Sequence, residues 1–379
     1  MGPMSRSFVF ASLIAWLVLW TPSLGWCASA APYEPGSKGK ESWQVEWEKV
    51  LAAAKKEGRL NLAGPRGDER RRALTETFEK SYGISVEYLG VGGPELPPRV
   101  QRERQAGLYT WDVFIAGTST LLKGLKPIGA LERIEPVLIL PEVQDPKNWR
   151  GNELPFFDKD RIGLSVLRRA GQYLYVNTTL VKAEGFKSWK ELLHPQFKGK
   201  ILVGRDPRVS GYGQSTFNFF FIHRELGPDF IRRLIQQELK LLRDDRTAAQ
   251  WLAQGKYPLC ICSDLQADRL IKEGLPVKAI DGRQLKEGTH VTSAFANVAL
   301  VNRAPHPNAA KLYINWVLSR EGATLFSKAT GDPSLRVDVP TDHVEAWAIP
   351  QPGWPITNTE EALKTEEPLV ALLKQILGE

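Results

Sequence analysis

The feature that most constrains this chain is a strict alternation of helix-like and strand-like segments over its first hundred mature residues. Trp43, Trp47, Val50, Leu51 and Ala54 recur at helical spacing, and Gly58 provides a left-handed stop. "RLNLAG" then reads as a strand, and Asp68 can cap a helix whose Leu74 and Phe78 share one face before Gly83 ends it. "ISVEYLGV" and "WDVFIAG" are two more strands. Alternation of this kind implies an α/β fold, in which a sheet with parallel pairs is covered by helices.

The alternation continues well past one sheet. With 379 residues the chain exceeds one ordinary core and suits two lobes. "KILVGRDP" and "YPLCICSD" are buried strands, and Pro228 opens a helix expected to turn Phe230, Leu234, Leu241 and Leu242 inward. "SAFANVALV" is a further strand, followed by a helix with Leu312, Tyr313, Trp316 and Val317 on one face. Near the C-terminus, Leu369, Leu372, Leu373, Ile376 and Leu377 form a helical stripe that needs cover.

The N-terminus reads as a signal peptide. Arg6 is its positive region, Phe8 to Trp20 its apolar region, and Ala28-Ser29-Ala30 its cleavage site. The apolar run is shorter than the roughly 20 residues that span a bilayer. A lipid anchor on Cys27 is the rival reading, opposed by the bulk of Trp26. The expectation is an exported, periplasmic protein cleaved near Ala30. Its net charge of +7 is spread along the chain, without the basic stripe of a nucleic-acid binder. Cys260 and Cys262, two apart on a strand, suit a bridge poorly and read as buried thiols.

"WDVFIAGTSTLLKGLKPIGALERI", "SWKELLHPQFKGKI" and "APHPNAAKLYINWVLSREGATLFS" resemble the periplasmic substrate-binding proteins of ABC importers, in the ferric-iron-binding-protein-like branch. The resemblance runs from about residue 48 to about residue 340, and "SLRVDVP" fits its C-terminal part. It implies a two-lobed type II periplasmic binding protein fold with two interlobe crossings and a ligand cleft between the lobes. Mapped onto this chain, residues 1–30 are the signal peptide, 41–168 the first part of lobe 1 and 169–289 lobe 2. Residues 290–379 return to lobe 1 and carry the C-terminal tail. The crossings fall near residues 168–175 and 289–297. Such proteins close around a ligand that contacts both lobes. The implied partners are a small-molecule solute and the permease of an ABC importer in the inner membrane, with no nucleic acid, and the receptor is expected to be a monomer.

In open α/β sheets, ligands bind outside the carboxyl ends of strands, so the strand-end loops are the candidate site. Arg66, after the first strand, can fork onto a carboxylate, phosphonate or phosphate. Gly117, Thr118 and Ser119 offer hydroxyls and N–H groups at a helix start, an arrangement that serves an anion and a simple N-cap equally. Ser210, Gly211 and Tyr212 form a Gly-rich loop whose neighbours Arg205, Arg208 and Gln214 add charge and an amide. Tyr173 at the crossing, and Ser263 and Asp264 after the cysteine strand, complete the set.

Iron is the cargo the resemblance suggests first. Ferric relatives commonly use an adjacent tyrosine pair, aided by a His and a Glu. This chain has no Tyr-Tyr sequence, Gly117 stands about where the acid would be, and Arg66 about where the His would be. No G-x-S-x-G elbow, H-E-x-x-H or dinucleotide fingerprint is present, so neither an enzyme nor a resident cofactor is expected. The reading is a receptor for a small, anionic organic solute: a phosphonate, phosphate ester or carboxylate. Fe³⁺ carried with a synergistic anion is the alternative, and a periplasmic sensor subunit a further one.

Overall fold

The computed structural model describes residues 41–378, apart from 172 and 210 and the side chains of residues 264 and 265. The signal-peptide reading, with its cleavage site at Ala30 and the rival anchor at Cys27, lies outside the described residues, as does Ser210. Among the described residues no helix is long and apolar enough to cross a membrane.

Strands β1 (Arg59–Gly64), β2 (Ser85–Gly90), β3 (Val113–Ala116) and β4 (Gly163–Ser165) belong to the first sheet. The chain then passes through β5 (Arg169–Ala170) into a second sheet made of β6 (Leu174–Asn177), β7 (Ile201–Val203), β8 (Lys240–Leu241), β9 (Leu259–Ile261) and β10 (Val277–Ala279). It returns through β11 (Val291–Thr292) and completes the first sheet with β12 (Asn297–Leu300). The sheet orders are β2-β1-β3-β12-β4 and β10-β6-β9-β7-β8. Between them lies the antiparallel pair β5–β11, with Ala170 opposite Val291 and Arg169 opposite Thr292. This is the two-lobed α/β architecture.

Parallel pairing follows from the helical crossovers. β1 runs parallel to both β2 and β3, while β12 enters antiparallel between β3 and β4. Helix Ser42–Glu57 ends at Gly58 and helix Asp68–Tyr82 at Gly83, both at positive φ and each donating its N–H back one turn. Asp68 does not cap: it is the first helical residue, after Gly67 at the cap position, and its charge complements the helix dipole instead. Leu60, Leu62, Leu74, Phe78, Val113, Tyr313 and Trp316 bury together as the first lobe's core.

Two further local expectations are corrected. The helix opened by Pro228 stops at Ile235; Glu238 takes positive φ, and Lys240–Leu241 pairs with β7 instead of continuing inward as helix. Cys260 and Cys262 are disulfide-bonded, not free thiols. β9 ends at Ile261, so Cys262 leaves the extended path and the two Cα atoms lie 5.3 Å apart, within disulfide range.

The last helix of the C-terminal tail packs on the second lobe. Helix Glu366–Leu377 buries Leu369, Leu372 and Leu373 in a cluster with Phe217, Phe220 and Phe230, and Ile376 packs at its margin.

Candidate functional site

Both sheets present strand ends to one cavity of about 310 Å³. On the first-lobe side, β1 delivers Pro65, whose carbonyl accepts a hydrogen bond from the Tyr88 hydroxyl at 2.5 Å. β3 delivers Gly117, Thr118, Ser119 and Thr120 to the wall. The turn begins at once, with the Leu121 N–H donating to the Gly117 carbonyl at 3.1 Å. Gly117 sits at a close approach, since a Cβ there would lie 3.1 Å from the carbonyl oxygen of Ala294 beside β11, and that backbone would have to give by a few tenths of an ångström. The buried Asn297 amide donates to the Ala116 carbonyl at 2.9 Å and fixes the strand end.

On the second-lobe side, β7 runs into Gly204 and Arg205, and Gly211 at φ +130° leads into helix Tyr212–Ile222. A side chain at Gly213 would strike the Arg205 backbone, so the glycine lets the loop fold onto the helix start. Arg205 donates to Asp245 at 3.3 Å, and the Tyr212 hydroxyl donates to the other oxygen of Asp245 at 2.9 Å. One carboxylate thus orients two cavity side chains. Burial, then the charge of Asp245, pushes Tyr212 ionisation well above its usual range. Tyr173 stacks on Tyr212 with centroids 5.3 Å apart, and on its other side stacks on His290, also at 5.3 Å. His290 is fully buried with neither ring nitrogen hydrogen-bonded, and burial lowers its pKa to about 3. The ring stack is therefore neutral at physiological pH.

The tail supplies a third set of lining groups: Thr357, Asn358, Leu363 and Glu366. Among the described lining residues, Arg205 is the one cation and Glu366 the one carboxylate. Burial raises the Glu366 pKa, opposed by Lys123, which pairs with it at 2.6 Å.

The chain matches the model of the bacterial extracellular solute-binding protein family over residues 73–351. The chain belongs to that family. It is 21% identical over 288 residues to an uncharacterized protein of Haemophilus influenzae, covering 73% of this chain and 77% of that one. In structure it resembles the periplasmic binding protein AfuA of Actinobacillus pleuropneumoniae, solved with exogenous fructose-6-phosphate bound. That likeness has a TM-score of 0.60 at 19% identity, over 84% of this chain and 98% of AfuA. It also resembles the ferric iron-binding protein A of Mannheimia haemolytica in an open conformation, with a TM-score of 0.66 at 19% identity over 84% and 98% of the two chains. The Trichodesmium protein FutA, solved with iron and citrate, aligns at TM-score 0.62 and 17% identity over 84% and 99%. The chain is a solute-binding protein of the kind that serves ABC importers, from a family of extracellular binding proteins and not of enzymes.

Within this solute-binding protein, Gly117, Thr118, Ser119, Tyr173, Gly211 and Tyr212 line the same cavity. Arg66 does not line it. Its guanidinium turns to Glu95 at 2.5 Å, with 64% of its side chain exposed. Ser263 holds the cap position of helix Asp264–Lys272 away from the cavity wall, and Asp264 opens that helix. Arg205 and Gln214, which the sequence marked only as neighbours of the Gly-rich loop, are lining residues. The tail contribution had no signal in the sequence, where only a leucine stripe stood out beyond the family resemblance. Among the described residues no group of three His, Cys, Asp or Glu is placed to hold a metal.

Proposed function

We propose that this protein is the periplasmic receptor of an ABC importer for a small organic anion: a phosphonate, phosphate ester or carboxylate. The observation that carries the reading is Arg205, a cation at the interlobe cavity whose ion-pair partner, Asp245, occupies one edge of the guanidinium at 3.3 Å. A guanidinium has five N–H donors, so most remain for an anion. The carboxylate on the wall, Glu366, is matched by Lys123 and adds little repulsion. A cavity of about 310 Å³ is at the small end of ligand sites and suits a small solute. Export with cleavage near Ala30, delivery to an inner-membrane permease and a monomeric state complete the proposal.

Thermal-shift screening of phosphonates, phosphate esters and carboxylates tests it. At least one class should stabilise the wild-type protein and fail to stabilise Arg205→Ala. Stabilisation by neutral solutes alone would reject the anion.

Ferric iron is a second reading, favoured by one observation. Tyr173 and Tyr212, far apart in sequence, stand side by side at the cavity. Fe³⁺ needs phenolate oxygen, yet the Tyr212 hydroxyl donates to Asp245 and its ionisation is pushed up. Arg205 beside it would repel the metal. Loading with ferric citrate should leave the protein colourless; a visible phenolate charge-transfer band would establish iron instead.

A further inference from the structure

The family match ends at residue 351, yet the cavity does not. The chain beyond that point runs along the crossing. The Val291 N–H donates to the Pro355 carbonyl at 2.8 Å, and the Thr357 N–H donates to the Val291 carbonyl at 3.0 Å. The tail thus adds to β11 as a third strand-like segment. It then touches both lobes. The Asn358 side-chain amide donates to the Thr118 hydroxyl at 3.4 Å, and the Glu360 N–H to the Phe157 carbonyl at 3.0 Å, both on the first-lobe side. The Thr365 hydroxyl donates to Asn218 of helix Tyr212–Ile222 at 2.7 Å on the second.

Two polar atoms of this segment are unmatched. Thr357 is 2% exposed and lines the cavity, and its hydroxyl has no hydrogen-bond partner. The side-chain oxygen of Asn358, also a lining residue, is buried without a partner while its nitrogen is engaged. Buried polar groups are normally satisfied, and two neighbouring orphans on a cavity wall mark where a ligand group belongs. Their chemistry selects that group. An amide oxygen only accepts, so the ligand must donate; a threonine hydroxyl both donates and accepts. A hydroxyl meets both demands at once.

We propose that the C-terminal segment carrying Thr357 and Asn358 is a built-in wall of the ligand site, which selects solutes bearing a hydroxyl group. Combined with the anion reading, on which this part rests, the solute class is a hydroxylated organic anion.

Calorimetric titration of the purified protein with three probes tests this: methyl phosphate, glycerol 3-phosphate and neutral fructose. Wild type should bind glycerol 3-phosphate about tenfold or more tighter than methyl phosphate, the scale of a ligand hydrogen bond to otherwise orphaned groups. Thr357→Val and Asn358→Leu should each bring that ratio to within about threefold. Thr357→Ser, which keeps the hydroxyl, should retain the ratio and so separate ligand recognition from packing. An unchanged ratio in both Thr357→Val and Asn358→Leu overturns the inference, as does wild-type binding of no hydroxylated probe. If fructose binds, weakens in the two variants, and neither phosphate binds, the tail wall stands and the anion reading falls.

Discussion

Two arginines leave equivalent places in the two lobes and meet different fates. Arg66 follows β1 of the first sheet, and Arg205 follows β7 of the second. Both are strand-end arginines of the type that suits an anion. Arg66 meets Glu95 across an exposed loop, with 64% and 56% of the two side chains exposed, and stays outside the cavity lining. Arg205 is 35% exposed, held by Asp245, and lies on the wall. The lesson is that a strand end brings a side chain near a cleft, but a second residue decides which way it turns. For Arg205 that residue is Asp245, at the start of helix Asp245–Ala253, and it simultaneously holds Tyr212.

The comparison can be broken by substitution. Arg205→Ala should weaken binding of an organic anion by ten- to a hundredfold, the range for a hydrogen bond to a charged group, measured by calorimetry. Equal loss in Arg66→Ala would collapse the distinction between the loops.

The second-lobe side also rests on the stack of half-buried Tyr212 and Tyr173 on buried His290, which the Arg66 loop lacks. His290 has a folded pKa near 3 against an ordinary value of 6.5. The unfolded chain therefore binds more protons between these values. Stability is fully present above about pH 6.5 and is lost as pH falls towards 3, at up to about 1.4 kcal/mol per pH unit. His290→Asn should flatten the part of the stability–pH curve between pH 6 and 4 in denaturant unfolding; an unaltered slope would mean the imidazole is solvated.

A smaller effect is expected from Tyr212→Phe. It removes the hydroxyl that shares Asp245 with Arg205, loosening the guanidinium without removing its charge. Anion affinity should fall by about three- to tenfold. No change would show that Asp245 positions Arg205 unaided. Smallest of all, Arg66→Ala should alter anion affinity by less than about twofold and stability by less than about 1 kcal/mol, as for exposed ion pairs.

The same contrast marks what the sequence made legible. Periodicity and glycine stops revealed the β1–β3 unit and its helices because burial on one face imposes a pattern on neighbouring residues. The loop after β3 was legible too: strand, glycine and hydroxyls are contiguous, and Gly117, Thr118 and Ser119 line the cavity together. The sequence reading placed Arg66 in the site and left Arg205 as a neighbouring charge, because the partners that turn them, Glu95 and Asp245, lie 29 and 40 residues away. The pairing of Tyr173 with Tyr212 spans a similar distance along the chain, and the arrival of Thr357 beside Val291 is longer-range still. The cysteine bond escaped because an ideal strand spacing was assumed where β9 had already ended.

The central claim is that a small organic anion occupies the interlobe cavity through Arg205. Native mass spectrometry of the protein incubated with a mixture of phosphonates, phosphate esters and carboxylates tests it most directly. The account predicts one organic anion per protein on the wild type and its loss from Arg205→Ala. A ferric adduct, no anion adduct, or an anion retained undiminished on Arg205→Ala would contradict it.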